Sequence, residues 1–271
     1  MTACKQWAVA TCKAGIEHQA ANGKSFCYKK AMKLLRATLW IYATALRRSW
    51  ECAAKNWIVS FAPVGYGLIF SLAVTLVAPL GLIGGLLIGL VSQACLSSGL
   101  YLVKNIVDSG KATFNDFLNG FTVYLWELLG IAFILWIPMR LAASVLASVP
   151  NGGLIYFLLQ IGLYILLNPV PEFIYQTRVS NLELIGASYN FTVENWLEWL
   201  APNFILTVAG YALLNLLDVI VIGLPGFVQS LIVSFAFGLC LTYFMTFRGF
   251  LFAELHGTTR RSRIYRFDAR A

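Results

Sequence analysis

The sequence predicts an all-α integral membrane protein: six transmembrane helices in three tight hairpins, each hairpin preceded by a cytoplasmic amphipathic segment. Three observations lead there. Of the 271 residues, 59% are hydrophobic and only 12% charged, against about 25% charged in an ordinary soluble domain, and mean hydropathy is +0.73. Six apolar runs reach the roughly 20 residues that a helix needs to cross about 30 Å of hydrocarbon. These runs come in pairs joined by corners rich in proline and glycine. A chain in lipid must satisfy its own backbone, as helices or a closed barrel, and unbroken apolar runs lack the alternation of barrel strands.

Residues 1–56 read as a basic cytoplasmic region with an amphipathic helix over 28–54. At about 100° per residue, Lys29, Lys33, Arg36 and Arg47 share one face, opposite Leu34, Thr38, Ile41, Ala45 and Cys52. With Trp40, Tyr42 and Trp50 beside it, this pattern fits a helix lying in the interface, its cations on anionic headgroups. A helix packed on the bundle is the alternative.

The membrane domain covers 57–253, with spans over 57–79, 80–103, 121–148, 153–176, 201–223 and 225–253, and residues 254–271 form a second basic tail. The N-terminal region carries ten Lys and Arg, the tail adds Arg260, Arg261, Arg263, Arg266 and Arg270, and the three corners carry none. By the positive-inside rule both termini are cytoplasmic, in a multi-pass protein of the cell (inner) membrane. Residues 1–23 contain no continuous apolar stretch of a signal peptide, so the first span is expected to direct insertion.

An internal repeat accompanies the pairing. KNWIVSFAP at 55–63 and ENWLEWLAP at 194–202, 139 positions apart, share Asn, Trp, Ala and Pro, while Phe121-Thr122-Val123 matches Phe191-Thr192-Val193 at a spacing of 70. A period of about 70 residues implies a pseudo-threefold unit. Trp57, Trp126, Trp196 and Trp199 are expected as interfacial anchors, because indole prefers the headgroup level.

Two short stretches, GKATFNDFLNGF at 110–121 and NPVPE at 168–172, resemble the six-span bacterial membrane proteins that occur alone or fused to glycerophosphodiester phosphodiesterases. The likeness would cover roughly residues 30 to 255. It implies a fold and no activity, since the chain has no phosphodiesterase domain.

Polar residues inside spans are functional candidates because hydrocarbon makes them costly. Arg140 and Asp218 fall at similar depth, roughly 7 to 12 Å from the outer surface at about 1.5 Å per residue, so they are expected to pair, with Gln229 nearby. Towards the cytoplasmic ends lie Glu127, Asn168, Glu172, Arg248 and Glu254, expected to clamp helix ends. Pro138, Pro169 and Pro171 should bend their helices and free carbonyls. Gly81, Gly85 and Gly89 make a stripe suited to close helix packing, within the bundle before any self-association.

Catalysis finds no support in the sequence. The two histidines, His18 and His256, lie outside the spans, and no nucleophile elbow, HExxH or Walker pattern is present. Cys12, His18 and Cys27 fit no zinc spacing, so neither metal nor cofactor is expected. Anionic membrane lipids are the expected partners, with a membrane or cytoplasmic protein as a further partner and no nucleic acid. The expected role is a non-enzymatic scaffold, complex subunit or lipid-organising factor. The alternative is a transporter or channel for a small or amphiphilic solute, its path lined by Arg140, Asp218 and Glu127.

Overall fold

The computed structural model describes residues 32–177, 179 and 181–269. Among the described residues every regular element is helical, and six helices are long and apolar enough to cross a membrane: Trp57–Leu80, Ile83–Ser109, Leu125–Leu146, Gly152–Gln176, Leu182–Val221 and Gly226–Leu255. These are the proportions of a multi-pass membrane protein. In chain order the elements are α1 over 32–55, a 3-10 turn Trp57–Phe61, α2 (Ala62–Val77), a second 3-10 turn Ala78–Leu80, α3 (Gly81–Ser109), α4 (Phe114–Val123), α5 (Leu125–Leu146), α6 (Gly152–Leu166), α7 (Val170–Gln176), α8 (Asn181–Val221), α9 (Gly226–Leu255) and α10 (Arg260–Asp268). Lys29 and the Cys12, His18, Cys27 set lie outside the described residues.

The described residues divide into two compact units, one of residues 32–44 with 257–269 and one within Ala45–His256. In the smaller, α10 begins at a capping box in which Thr259 accepts from Ser262 N and Ser262 Oγ accepts from Thr259 N. This satisfies amides that a helix start leaves open. Lys33 Nζ reaches Asp268 Oδ2 at 3.2 Å, and Trp40 meets Phe267 edge-on.

Within the larger unit the helices break where the sequence gives little warning. Asn56 (φ −111°, ψ 33°) ends α1 just ahead of Trp57, Tyr124 (φ −114°, ψ 11°) separates α4 from α5, and Asn195 (φ −120°, ψ 23°) kinks α8 just ahead of Trp196. Each break sits beside a tryptophan-bearing start. At two of them an asparagine amide bonds the carbonyl four residues back: Asn56 Nδ2 donates to Cys52 O at 2.8 Å, alongside its own backbone N–H at 3.0 Å, and Asn195 Nδ2 to Phe191 O at 3.2 Å. The expected fifth span, 201–223, is therefore the second part of a 41-residue element that also contains the acidic segment before it.

Burial is uneven along these helices. Leu100, Leu102 and Ile106 of α3, Phe173 and Tyr175 of α7, Leu184 and Trp199 of α8, and Phe247, Leu251 and Phe252 of α9 form the core. Across 61–96, 132–168 and 204–237, only Gly84, Gly152 and Val221 are buried among the described side chains. The rest of those stretches presents leucine, isoleucine and phenylalanine outward, as a surface facing acyl chains does.

Close backbone approaches hold the core end together. A Cβ on Gly238 of α9 would collide with the carbonyl oxygen of Ser60 in the first 3-10 turn, and one on Gly120 of α4 would lie 2.8 Å from Ser98 Cα of α3. Gly238→Ala is expected to lose about 1–3 kcal/mol by overpacking. Gly85→Ala, which enters open space, should gain up to about 1 kcal/mol of helix propensity. Thermal unfolding of the two variants in detergent, scored as opposite shifts in Tm, checks the contrast.

Candidate functional site

The chemistry of the site begins with a backbone interruption. Pro169 and Pro171 offer no N–H and cannot continue a helix, so α6 stops at Leu166 and α7 starts at Val170. Val170 N bonds Leu167 O at 3.1 Å, which leaves Leu166 O outside the ladder. Two hydroxyls of α8 take it: Thr192 Oγ1 at 3.1 Å and Ser188 Oγ at 3.3 Å. The carbonyl of Asn168 is freed as well, and Arg248 Nη2 of α9 donates to it at 2.6 Å.

Arg248 completes its fork on a carboxylate. Its Nε donates to Glu172 Oε1 at 2.7 Å and its Nη2 to Glu172 Oε2 at 2.8 Å, a bidentate geometry that only the planar guanidinium provides. Both residues are buried. An unpaired charge there would be prohibitive, so pairing and hydrogen bonding together make the arrangement tolerable. Trp199 adds a third helix, its Nε1 donating to Asn168 Oδ1 at 2.9 Å, while the guanidinium lies 5.2 Å from the Trp199 ring and 5.5 Å from that of Phe244. Phe173, Phe191 and Phe252 pack around this network as mutual edge-on and tilted rings.

Next to Arg248 on α9, Gly249 lets three helices meet. Gln176 Nε2 of α7 donates to Gly249 O at 2.9 Å, and a Cβ there would lie 2.7 Å from both Tyr175 Oη and Val107 Cγ2 of α3. Just past α9, His256 stacks on Phe252 at 4.9 Å, and burial lowers the pKa of its imidazole. Acidification through the ordinary imidazole range therefore charges the unfolded chain before the folded one and removes stability.

A second junction ties α1 to α3 and α4. Gly110, at φ +74°, closes α3 in the left-handed conformation that glycine adopts without strain. Asn56 Nδ2 donates to Gly110 O at 2.9 Å and Asn56 Oδ1 accepts from Ala112 N at 2.9 Å. Thr113 and Asp116 then cap α4 reciprocally. Ser97 Oγ donates to Gly120 O at 2.6 Å and accepts from Tyr124 N at 2.8 Å, and Ser98 Oγ donates to Phe117 O at 2.7 Å.

Beside these contacts lies a cavity of about 480 Å³ between the first 3-10 turn, α2, α3 and α9. Its wall is almost wholly apolar. Cys95, on that wall, is a free thiol, as are Cys52 and Cys240. Burial raises the Cys52 thiol pKa, with Lys55 pulling the other way, so neutral pH keeps Cys52 protonated and a weak nucleophile.

Of the residues singled out in the sequence, the structure brings Glu172, Asn168 and Arg248 together and scatters most others. The expected Arg140–Asp218 pair does not form. Both side chains lie on exposed faces of α5 and α8, and Asp218 Oδ1 instead accepts from Gln229 Nε2 of α9 at 3.0 Å. Glu127 sits in the first turn of α5, away from the clamp. Trp57, Trp126 and Trp196 are exposed, but Trp199 is 0% exposed; its hydrogen bond to Asn168 makes it a core residue, not an interfacial anchor. Among the described residues nothing lies within 4 Å of a Cβ placed on Gly81, Gly85 or Gly89, because the turn into α3 puts Gly84, not the stripe, against Val77.

On α1, Lys33 pairs with Asp268 and Arg47 Nε with Glu51 Oε1 at 3.0 Å, and Arg36 is exposed. The buried positions of α1 are Ala37, Ile41, Ala45, Ser49 and Ala53, a four-residue spacing that keeps Ile41 and Ala45 of the expected face but not Leu34, Thr38 or Cys52. The sequence reading missed Ser97, Ser98, Gly120, Gly238 and Gly249. Small residues inside apolar runs were their only signal.

Comparison with protein-family models, with curated proteins and with solved structures returned no match.

Arg248→Met strands the Glu172 carboxylate and is expected to cost about 3–5 kcal/mol. Arg248→Met with Glu172→Met should recover only part of that loss, since the apolar pair removes the orphaned charge but leaves the Asn168 carbonyl without its donor. Reversible unfolding in mixed micelles measures both.

Proposed function

We propose that the chain is a non-enzymatic multi-span membrane protein that serves as a scaffold or complex subunit and organises lipid around it. One observation carries the reading: the buried Glu172 and Arg248 are consumed by each other and by Asn168, which Trp199 also bonds. A site for chemistry or for a hydrated solute keeps polar groups open to its ligand. Here Arg140, Asp218 and Glu127 lie off the wall of the apolar cavity, which weighs against a solute path through them.

On this reading the six helices form three hairpins related by a pseudo-threefold repeat of about 70 residues. The helix breaks at Asn56, Tyr124 and Asn195, each beside a tryptophan-bearing start, support that arrangement. The two stretches that resemble the six-span bacterial proteins coincide with the α3–α4 junction and the α6–α7 break, and a shared architecture is the simplest account of both. The basic N-terminal region and tail favour cytoplasmic termini in a bacterial inner membrane, with anionic lipid as the nearest partner.

Native mass spectrometry of the protein released with its own membrane should show retained anionic phospholipid or a stoichiometric protein partner. A bare chain, or solute flux through reconstituted vesicles that Arg140→Gln and Asp218→Asn abolish, would overturn the reading. For topology, a single cysteine at Asn151 is expected to react with an impermeant maleimide added outside intact cells. Labelling only after the cytoplasm is opened reverses the orientation.

A further inference from the structure

We infer that the apolar cleft between α2, α3 and α9 holds one acyl chain of an anionic phospholipid, with Lys55 at its mouth facing the phosphate. The proposal rests on the membrane-embedded reading and adds a defined lipid site to it.

Length is the first argument. On α3 the wall runs from Ser92 to Val103 and on the facing segment from Val59 to Phe70, about 16 Å at about 1.5 Å per residue. Half of a hydrocarbon core of about 30 Å is about 15 Å. The cleft thus starts at the level of Trp57 and ends near mid-membrane, the extent of one leaflet's chain.

Shape and polarity are the second. Gly67, Cys95 and Gly99 open the cleft where neighbouring positions carry large side chains; a Cβ on Gly67 would meet nothing within 4 Å, and one on Gly99 only Tyr66, at 3.9 Å. Its volume, about 480 Å³, is within the roughly 300–1,000 Å³ of small-molecule sites. The Tyr66 hydroxyl, the wall's bulkiest polar group, is engaged in a 2.9 Å hydrogen bond to Ser98 Oγ, which leaves the small hydroxyls of Ser92 and Thr242 on an otherwise apolar wall.

The mouth supplies the charge. Lys55 is exposed at the end of α1, four residues ahead of Val59, and Arg48 is exposed two turns back on the same helix, both acting electrostatically on Cys52 together with Glu51. Glu51 is engaged by Arg47. Lys104, next to Val103, is held by Asp108 at 3.0 Å, leaving Lys55 and Arg48 as the cations for a phosphate. Trp57 is exposed at the same level, and Trp50 packs edge-on against Tyr243, adjacent to the lining residue Thr242; aromatic rings of this kind mark the headgroup boundary.

The full chain in vesicles of phosphatidylethanolamine and phosphatidylglycerol, the latter with a mid-chain diazirine, is irradiated and its labelled peptides are mapped. Label is expected at Cys95, Leu96 and Leu241 above the level on the exposed α6 face at Leu154 and Leu158. Gly67→Leu, which fills the cleft, should lower cleft labelling about tenfold, equivalent to about 1.4 kcal/mol, and leave the α6 face unchanged. Lys55→Glu should remove the preference for phosphatidylglycerol over phosphatidylcholine carrying the same diazirine, without depending on helix packing. Equal labelling of cleft and α6 face, or cleft labelling indifferent to Gly67→Leu, overturns the lipid site alone. Absence of label on every helix overturns the membrane reading with it.

Discussion

The interruption between α6 and α7 imposes the condition that the rest of the core meets. Among apolar side chains no water is present to bond a freed carbonyl, and each one left bare costs several kcal/mol. Leu166 and Asn168 present such carbonyls, and the answers come from two other helices, α8 through Ser188 and Thr192 and α9 through Arg248. Using an arginine for this purpose brings in a charge, which Glu172 neutralises from the first turn of α7 itself. The break that creates the demand thus also places the carboxylate that makes its solution affordable.

A lighter device serves the other interruptions. At Asn56 and Asn195 the side-chain amide adds a bond to the carbonyl four residues back, which ties the turning residue to the helix it leaves. Asn56 uses its remaining acceptor to hold the start of the α3–α4 connection, which converts a local repair into a tertiary tie. Where two backbones must come still closer, at Gly120, Gly238 and Gly249, the absence of a side chain does what hydrogen bonding cannot.

The existence of six membrane-length helices was legible because apolar run length is a property of the sequence alone. So was the α6–α7 break, announced by two prolines in NPVPE, whereas Asn168, Glu172 and Arg248 were expected only within a wider set that also held Glu127 and Glu254. What the sequence withheld was rotation about each helix axis. Trp196 and Trp199, three residues apart and about 60° around a helix, look interchangeable, yet one is exposed and the other fully enclosed. Arg140 and Asp218 match in depth and are opposite in charge but occupy faces that do not meet. Glycines posed the same problem in sharper form: the regular stripe Gly81, Gly85, Gly89 is open, and the irregularly placed Gly238 and Gly249 carry the tight contacts.

The uneven burial along the spans has a mechanical consequence. Hydrogen-bonded and packed contacts crowd one end of the larger unit, whereas the corners near Pro79, Pro150 and Pro225 are held mainly by the helices that lead into them. Regions with few buried contacts open at low free energy. The bundle is in effect clasped at its base and compliant at its tips, so changes in bilayer thickness or lateral pressure would be absorbed by the tips while the clasped end keeps its geometry.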